Sequence, residues 1–573
     1  MKILGLSGAV HDAAAALLID GQLVAAVEEE RFKRVKHIGF AGYFGHDSGL
    51  PHASIDYCLK TAGITADQID AVGYFYDPWR EFRSHLGFRL ARAYRDPARA
   101  AYHLVQSVTL LKDHLKTEPL FNRRRQHPLK FHWLSHYATH NAAAFFCSPF
   151  DEALILSIDA KGERDSCCVA VGKGNQIRTL ETIPYPHSWG MFYMEVTKYL
   201  GFKPGHDEYK VMGLASFGKP TYLDQFRQIV KTQSDGSFRF DMRYFDPTFT
   251  GPDMLGKKFY DTFGPARVPN SAIDSHHEDI AASLQQILEE CVLRYLEKLR
   301  ARTGQRNLCL SGGVVLNCVL NGKILESGLF DGIFIPPNPG DAGCAVGAAL
   351  HIHHQLQHAP RGCVMDHAFL GPAFSDDEIR AALDNAKLDY RKMEDTPQEV
   401  ARLIADGKIV AWFQGRMEWG PRALGNRSLL ADPTRAEMRD VVNKWVKHRE
   451  DFRPFAPSVL EEEVSKYFEH VTDSPFMLFI TKVKTDKRSK VPAITHVDGT
   501  ARPQTVSRRT NPLYWQVIKE FENLTGVPCV LNTSFNIMGE PIVCTPPQAI
   551  RCFYGTGIDA LAIGSYLVTK PRA

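Results

Sequence analysis

The 573-residue sequence has few of the features that place a protein in a membrane or in an oxidising compartment. Its apolar runs are shorter than the ~20 residues that a membrane helix needs. Residue 1 leads directly into a strand-like segment, without the basic region and apolar core of a signal peptide. None of the 12 cysteines forms a C-x-x-C pair, so neither a zinc ribbon nor a disulfide framework is predicted. We therefore expect a cytoplasmic protein with no membrane partner.

The sequence also lacks a large excess of charge of either sign. Lys and Arg number 68 and Asp and Glu number 65, which leaves a net charge of +3. A field this weak does not favour a nucleic-acid partner. A basic, aromatic segment between residues 79 and 125 is compatible with RNA binding, but arginines along a solvated helix face are more common. We expect no nucleic acid to bind.

A chain of this length exceeds a single hydrophobic core, so at least two domains are predicted. Segments 2–31 and 152–183 share one plan: a strand, a polar turn, a second strand, a tight turn and a third strand. The repetition predicts a duplicated domain with two related lobes, although two unrelated hairpins would show the same pattern. We place one boundary after residue 362, which gives domains 1–362 and 363–573.

An alanine- and aromatic-rich segment, 133–146, predicts a buried helix with two histidines on one face. His136 and His140 are four residues apart, a spacing that supplies two nitrogen ligands for a divalent metal. Asp341 follows a strand and opens a helix of small residues, where it is either an N-cap or a third ligand. Packed or surface histidines remain the alternative. Two imidazoles and a carboxylate suit iron, zinc or manganese.

Other polar loops carry groups that suit phosphate binding. A strand runs into Gly312 and Gly313, whose backbone N–H groups can approach a nucleotide closely. In the second domain, loop 415–428 contains three arginines among glycines and a proline, which predicts a loop of defined shape. Segments 446–453 and 500–505 add further cations. Arginine forks suit phosphate or carboxylate recognition, and a solvated basic surface is the alternative.

In this order, the motifs resemble the NodU/CmcH-type O-carbamoyltransferases over nearly the whole chain. The most distinctive is the run Gly-Pro-Arg-Ala-Leu-Gly-Asn-Arg-Ser at 420–428. The matching stretches are 11–17, 28–37, His136-x-x-x-His140, 159–163, 210–216, 311–314, 340–343, 420–428 and 453–457.

The resemblance implies an α/β fold for both domains and a reaction in two steps. The first domain would be of the ASKHA type, with duplicated ribonuclease-H-like lobes, similar to the metal-dependent protein that transfers threonylcarbamoyl to tRNA. The second would resemble the YrdC domain and convert carbamoyl phosphate and ATP into carbamoyl-adenylate. The first domain would then transfer the carbamoyl group to a hydroxyl and release AMP.

The resemblance also implies roles for individual residues. In the first domain, His136, His140 and Asp341 would bind a divalent metal, with Fe²⁺ implied most directly, and His11 and Asp12 would be catalytic. The residues that would contact carbamoyl-adenylate are Lys36, Asp159, Gly162, Lys210, Gly312, Gly313 and Asn317. Those of the second domain, which would bind carbamoyl phosphate and ATP with Mg²⁺, are Arg422, Lys447, Arg453, Arg502, Asn532 and Ser534.

One stretch departs from the family pattern. The aminoglycoside-modifying relative has an acidic turn before the His11-Asp12 motif, where this chain has residues 7–10, Ser-Gly-Ala-Val. An aminoglycoside acceptor is therefore not favoured, and the expected acceptor is a hydroxyl of another small molecule or glycan, such as a secondary metabolite. A homodimer is common among such enzymes. A tRNA threonylcarbamoyl-type enzyme and an ASKHA sugar kinase remain the alternatives.

Overall fold

The computed structural model describes residues 1–8, 11–39, 50–90, 97–246, 254–450, 453–471 and 473–570. Residues 9 and 10 of the departing turn lie outside these ranges. The chain forms two units by its internal contacts: Met1–Glu29 with His37–Val364, and Glu30–Lys36 with Met365–Ala573. The short helix α1 (Glu30–Lys33) therefore belongs to the second unit, whereas a single boundary after residue 362 assigns it to the first.

The first unit contains two sheets and a small ribbon. Its strands are β1 Lys2–Ser7, β2 Ala14–Ile19, β3 Gln22–Glu28, β4 Ala71–Tyr74, β5 Phe131–Trp133, β6 Glu152–Ile158, β7 Asp165–Lys173, β8 Gln176–Pro184, β9 Val230–Thr232, β10 Phe238–Phe240, β11 Asn307–Ser311 and β12 Gly332–Phe334. Its helices are α2 His52–Thr61, α3 Pro78–Leu90, α4 Pro97–Leu115, α5 Thr117–Asn122, α6 His136–Phe146, α7 Trp189–Tyr199, α8 Glu208–Leu214, α9 Leu223–Ile229, α10 Lys257–Phe263, α11 Ser275–Thr303, α12 Cys318–Glu326 and α13 Cys344–Leu350.

The two sheets of the first unit have the same topology. Their strand orders are β3-β2-β1-β4-β5 and, read in the same direction, β8-β7-β6-β11-β12. In each, the first strand pairs antiparallel with the second and parallel with the fourth. Each sheet also leads into a helix, β5 into α6 and β12 into α13, and these two helices pack together. The predicted duplication of ribonuclease-H-like lobes is confirmed.

Local sequence explains several of these elements. Asp20 and Gly21, with φ of 48° and 81°, form the tight turn between β2 and β3. The long helix α11 begins at an N-cap, Asp274, whose side chain accepts a hydrogen bond from the His277 N–H, and it ends at Gly304 with a left-handed φ of 70°. Among the described residues, no helix is both long and apolar enough to cross a membrane.

The second unit is built on a mixed sheet. Its strands are β13 Arg391–Lys392, β14 Val410–Phe413, β15 Arg427–Ala431, β16 Ala456–Leu460, β17 Thr481–Lys482, β18 Thr500–Ala501, β19 Gln504–Val506, β20 Cys529–Ser534, β21 Ala560–Ile563 and β22 Tyr566–Thr569. Its remaining helices are α14 Asp376–Asn385, α15 Thr396–Ala405, α16 Met438–Val442, α17 Val464–Tyr467, α18 Pro512–Thr525 and α19 Pro546–Tyr554. The main sheet has the order β13-β22-β21-β14-β15-β20-β16-β19. The α/β class predicted for both domains is confirmed.

The segment Glu30–Lys36 is anchored in the second unit by two arginines and a phenylalanine. Arg31 donates from Nη2 to the Gly420 carbonyl at 2.8 Å. Arg34 donates from Nη1 to the Ile542 carbonyl at 2.7 Å and from Nη2 to the Pro541 carbonyl at 2.6 Å. The Phe32 ring packs on an apolar cluster formed by Met417, Ala423, Ile542 and Cys544.

Candidate functional site

In the first unit, two imidazoles and two carboxylates converge on one point. Nε2 of His136 lies 3.1 Å from Nε2 of His140. One Asp159 oxygen lies 3.3 Å and 2.9 Å from these two nitrogens, and one Asp341 oxygen lies 3.7 Å and 3.5 Å from them. The four ligand atoms all lie within 4.8 Å of one another. Two nitrogens and two oxygens at such distances suit a divalent transition metal.

Equivalent elements of the two lobes supply this cluster. His136 begins α6, and Asp341 lies in the short 3₁₀ turn that leads into α13. The residue that caps α13 is Gly343, and Asp341 makes no capping hydrogen bond. The N-cap interpretation of Asp341 is therefore not supported. Asp159 directly follows β6. The family resemblance implies that it contacts the adenylate, and it does not imply a role as a metal ligand.

The hydrogen bonds of Ser311 define which nitrogen of His140 is available to a metal. Its Oγ donates to the Pro339 carbonyl at 3.2 Å, so it accepts from Nδ1–H of His140, 3.0 Å away. The proton on Nδ1 leaves a lone pair on Nε2, which faces the other three ligand atoms. Such a partner fixes both the tautomer and the ring orientation of a metal-binding histidine.

A buried carboxylate holds the start of α6. One oxygen of Glu163 accepts from the backbone N–H groups of His136 at 2.8 Å and Asp77 at 3.0 Å. Burial raises the pKa of Glu163, against the charge of His136 and these two bonds. Glu163 lies within a motif of the sequence, yet its role was not predicted, because only the folded structure brings Asp77 and His136 together.

Burial and the charge partners act in opposite directions on the cluster. Burial alone would raise the pKa of Asp159, but the hydrogen bonds and charges of His136 and His140 hold it well below its usual range. Burial alone would lower the pKa of His140, but Cys344, Asp159 and Asp341 raise it. The contacts between Asp159 and the imidazoles therefore favour the charged forms of both Asp159 and His140.

The predicted catalytic pair lies beside this cluster. Nδ1 of His11 lies 3.0 Å from an Asp12 oxygen, and its Nε2 lies 3.7 Å from the second oxygen of Asp341. Desolvation lowers the pKa of His11, but the hydrogen bond to Asp12 and the charges of Asp341, Asp12 and Asp159 outweigh it and raise the pKa to about 10. The His11 side chain is 45% exposed, so a ligand can reach it.

Three predicted glycines lie against the cluster. A Cβ on Gly162 would approach the His136 ring at 3.1 Å, and one on Gly313 would approach an Asp159 oxygen at 3.1 Å. Gly312 has a φ of 94°, and a Cβ there would lie 2.1 Å from the Ile158 carbonyl oxygen. Gly312 is therefore needed for the end of β11 to lie against the end of β6.

Two other residues predicted for the adenylate site have local partners. Lys210 lies on α8, where its Nζ is 3.2 Å from an Asp207 oxygen. Asn317 caps α12 by accepting from the Leu320 N–H at 3.0 Å, and its amide also pairs with Gln285. The amide of Asn317 thus has a structural role that the sequence did not reveal.

In the second unit, the predicted anion-binding residues meet at one end of the main sheet. Ser428 near the start of β15 pairs with Ser534 at the end of β20, and the starts of β16 and β19 lie at the same end. Arg422, Arg453 and Arg502 shortly precede these three strands. Register alone therefore brings together loops that are far apart in sequence.

Lys447 is a buried cation at this end. Its Nζ donates to the carbonyl of Ser534, to the Asn536 carbonyl at 3.1 Å and to the Asn536 side-chain oxygen at 2.8 Å. All these acceptors are neutral. Burial lowers the pKa of Lys447 well below its usual value, and the charges of Arg449, Arg453 and Lys36 lower it further. Such an accumulation of positive charge favours an anion.

The arginine loop, residues 415–428, is held by a glutamate that was not predicted. One oxygen of buried Glu418 accepts from the backbone N–H groups of Leu424, Asn426 and Arg427 at 2.8, 2.7 and 3.0 Å. Gly425 has a φ of 101°, and a Cβ there would lie 2.1 Å from the Tyr514 ring. Arg427 is fully buried and donates to the Gly415 and Asn426 carbonyls of the loop. The predicted shaped loop is confirmed.

Buried amides join this loop to the sheet. Asn532 donates to the Ala423 carbonyl at 3.2 Å and to Ser458 Oγ at 2.9 Å, and Gln504 donates to the Leu424 carbonyl at 2.8 Å. The Asn532 side-chain oxygen and Arg502 Nε are buried without a hydrogen-bond partner among the described residues.

Lys36 belongs by its contacts to the second unit, although the sequence assigns it to the adenylate site of the first domain. Its charge is among those that lower the pKa of Lys447. Lys36 follows the short helix α1, and so short a helix carries no sequence signal that shows which core it packs against. The placement of segment Glu30–Lys36 in the second unit could therefore not be predicted.

Comparison with known proteins identifies both halves of the chain. Residues 2–350 match the family model "Carbamoyltransferase N-terminus", and residues 401–570 match "Carbamoyltransferase C-terminus". An uncharacterized protein of Synechocystis sp. is 42% identical, covering 99% of this chain and 96% of its own length. Nodulation protein NolNO of Sinorhizobium fredii is 40% identical, covering 98% and 80%.

Solved structures align with the chain at low similarity. Component A of (R)-2-hydroxyglutaryl-CoA dehydratase from Acidaminococcus fermentans is 14% identical, with a TM-score of 0.32, and the alignment covers 61% of this chain and 97% of that one. HypF of T. kodakarensis is 14% identical, with a TM-score of 0.33 and coverages of 62% and 48%. The family models, which span most of the chain, and the relatives at 40% identity or more lead to one assignment. The chain belongs to the carbamoyltransferase family and is an enzyme that transfers a carbamoyl group.

Proposed function

We propose that this enzyme is an ATP-dependent O-carbamoyltransferase whose two units carry out successive steps. The observation that carries the proposal is the opposite chemistry of the two sites. The first unit gathers carboxylates and imidazoles around a metal-sized space, and the second gathers cations at one end of a sheet. A metal-assisted transfer and the binding of phosphates require these two environments respectively.

The second unit would form carbamoyl-adenylate, with Mg²⁺ accompanying ATP. Carbamoyl phosphate would react with water to give carbamate and phosphate. A carbamate oxygen would then attack the α-phosphorus of ATP, the bond to the β-phosphate would break, and pyrophosphate would leave. Arg422, Arg453 and Arg502 would bind phosphate oxygens, and Lys447 would hold positive charge at a fixed point through Ser534 and Asn536.

The first unit would transfer the carbamoyl group. The acceptor hydroxyl oxygen would attack the carbamoyl carbon, the carbon–oxygen bond to AMP would break, and His11 Nε2 would accept the hydroxyl proton while Asp12 holds Nδ1. His136, His140, Asp159 and Asp341 fit a divalent metal, for which Fe²⁺, Zn²⁺ and Mn²⁺ are the candidates. When bound, the cation would supply charge to the leaving phosphate and balance the carboxylates around His11.

The acceptor would be a hydroxyl of a small molecule or glycan. The relatives at 30% identity or more include nodulation proteins of Sinorhizobium fredii, Bradyrhizobium diazoefficiens and Rhizobium tropici. Carbamoyl phosphate and ATP would be the remaining partners, and a homodimer stays a prediction.

The first step can be tested without an acceptor. The protein is incubated with ATP, carbamoyl phosphate and Mg²⁺, and pyrophosphate and carbamoyl-adenylate are measured for the native chain, Arg422→Ala and His136→Ala. We expect pyrophosphate release to require carbamoyl phosphate, to be lost in Arg422→Ala and to survive in His136→Ala. Arg439→Ala, which removes an exposed arginine paired with Asp440, is the control. Formation of ADP, or no dependence on carbamoyl phosphate, would contradict the proposal and favour the kinase or tRNA alternatives.

A further inference from the structure

The carboxylate of Asp12 lies between two imidazoles. One oxygen is 3.0 Å from Nδ1 of His11, and the other is 2.7 Å from Nδ1 of His37. His37 therefore contacts Asp12, the residue that holds His11. Its bond to Asp12 is the shorter of the two.

The backbone around both residues is held in an unusual conformation. Asp12 and His37 have φ of 55° and 56°, in the left-handed region that residues other than glycine seldom adopt. A backbone hydrogen bond of 2.8 Å from the Ala13 N–H to the Ile38 carbonyl ties the two turns together. Strained residues of this kind persist where the surrounding structure fixes them, and they cluster at functional sites.

A second imidazole, that of His206, packs against the His37 ring. The His206 ring lies edge-on to it, with ring centroids 4.7 Å apart and an angle of 81°. Burial, together with the charges of His37 and Lys203, lowers the pKa of His206 to about 4, so this ring is neutral near pH 7. His206 thus restricts the His37 ring by packing and offers Asp12 no charge of its own.

We propose that His37 is a positioning residue for carbamoyl transfer, acting through Asp12 on His11. Nδ1–H of His37 donates to one Asp12 oxygen and fixes the carboxylate plane. The other oxygen then accepts from Nδ1–H of His11, which directs the lone pair of His11 Nε2 toward the hydroxyl proton. That proton ends on Nε2, and the protons on both Nδ1 atoms stay in place. The inference rests on the transfer step proposed above.

The kinetic test compares His37→Leu, which removes the donor, with His37→Asn, whose side-chain N–H can replace Nδ1–H. Reactions contain ATP, carbamoyl phosphate, Mg²⁺ and glycerol as the hydroxyl acceptor, and both AMP and pyrophosphate are followed. We expect His37→Leu to lower kcat for AMP release about 10- to 100-fold, the usual cost of losing a partner that orients a functional imidazole. The KM for glycerol and the pyrophosphate rate should not change. His37→Asn should recover most of the loss, and His127→Leu, an exposed histidine, is the control.

A double-mutant cycle shows whether His37 acts through Asp12. In the Asp12→Asn background, His37→Leu should add less than about a twofold loss, because coupled residues are not additive. Additive losses, or a His37→Asn variant no better than His37→Leu, would overturn the proposal.

A spectroscopic readout separates this inference from the proposed function. In Zn²⁺-loaded protein with ¹⁵N-labelled histidine, the ring signals of His11 are assigned by their loss in His11→Gln. We expect them to shift in His37→Leu and to stay in place in His37→Asn and His127→Leu. Unchanged His11 signals in His37→Leu contradict the positioning role whatever the substrate. Shifted signals without carbamoyl-adenylate formation in the native protein would leave the positioning intact and refute the proposed reaction.

Discussion

The two units of this carbamoyltransferase use charged residues in opposite ways. In the first, the carboxylates of Asp159 and Asp341 lie beside the imidazoles of His136 and His140, and the four ligand atoms lie within 4.8 Å of one another. In the second, Lys447 is buried among neutral acceptors with further cations nearby. The ligands proposed for the two units, a divalent cation and a phosphate, are opposite in charge, as are the groups gathered at the two sites.

The largest expected effect is the loss of a metal ligand. His140→Ala should abolish tight binding of Zn²⁺ or Fe²⁺, measured by elemental analysis after dialysis, and should lower carbamoyl transfer at least about 100-fold, since even indirect partners of metal ligands cost 10- to 100-fold. Pyrophosphate release should be unaffected. His132→Ala, exposed on β5, is the matched control. A His140→Ala protein that retains its metal would contradict the four-ligand cluster.

The second-largest effect is expected from the loss of Lys447 in the second unit. Lys447→Met should lower carbamoyl-phosphate-dependent pyrophosphate release about 100-fold, because a fixed charge aimed at developing phosphate charge is lost. Metal content should stay normal. Lys444→Met, which removes an exposed lysine of the same turn, should behave as the native protein. If Lys447→Met instead empties the metal site, the two sites are not chemically independent.

A smaller effect on metal binding is expected at Ser311, which contacts the proposed metal-binding residue His140. Ser311→Ala removes the acceptor for Nδ1–H of His140 and should weaken metal affinity about 10-fold. Competition with a chelator measures this directly. An unchanged affinity would mean that packing alone orients the imidazole.

The smallest effect concerns stability and pH. The folded protein holds the pKa of Lys447 below its unfolded value, so between those two pKa values the unfolded chain binds more protons. Stability should therefore rise with pH across this window, up to the unfolded value of about 10.4. Denaturant unfolding of native protein and Lys447→Met at several pH values should show this rise in the native protein and a weaker one in the variant. Parallel curves would show that Lys447 is not a source of instability.

Sequence patterns predict elements and motifs better than they predict partnerships. The duplicated strands, the helix with His136 and His140, and the shaped loop all depend on local periodicity or turn chemistry, and the structure has them. Asp159 was predicted as a nucleotide contact, because nothing local shows that its carboxylate reaches the two imidazoles. Glu163, His37 and Glu418 lie within or beside recognised motifs, but their roles depend on which backbone or side chain the fold brings opposite them.

The placement of Glu30–Lys36 has a consequence for the order of folding. Arg34 donates to the carbonyl of Ile542, which is 508 positions later in the chain. During synthesis, this segment therefore cannot form its contacts with the second unit until nearly the whole protein has been made. A fragment starting at residue 365 would lack Phe32 over its apolar cluster and the donors to Gly420 and Pro541. A synthetic peptide spanning residues 28–38 should bind such a fragment and restore its cooperative unfolding, because it supplies the missing segment as a separate molecule.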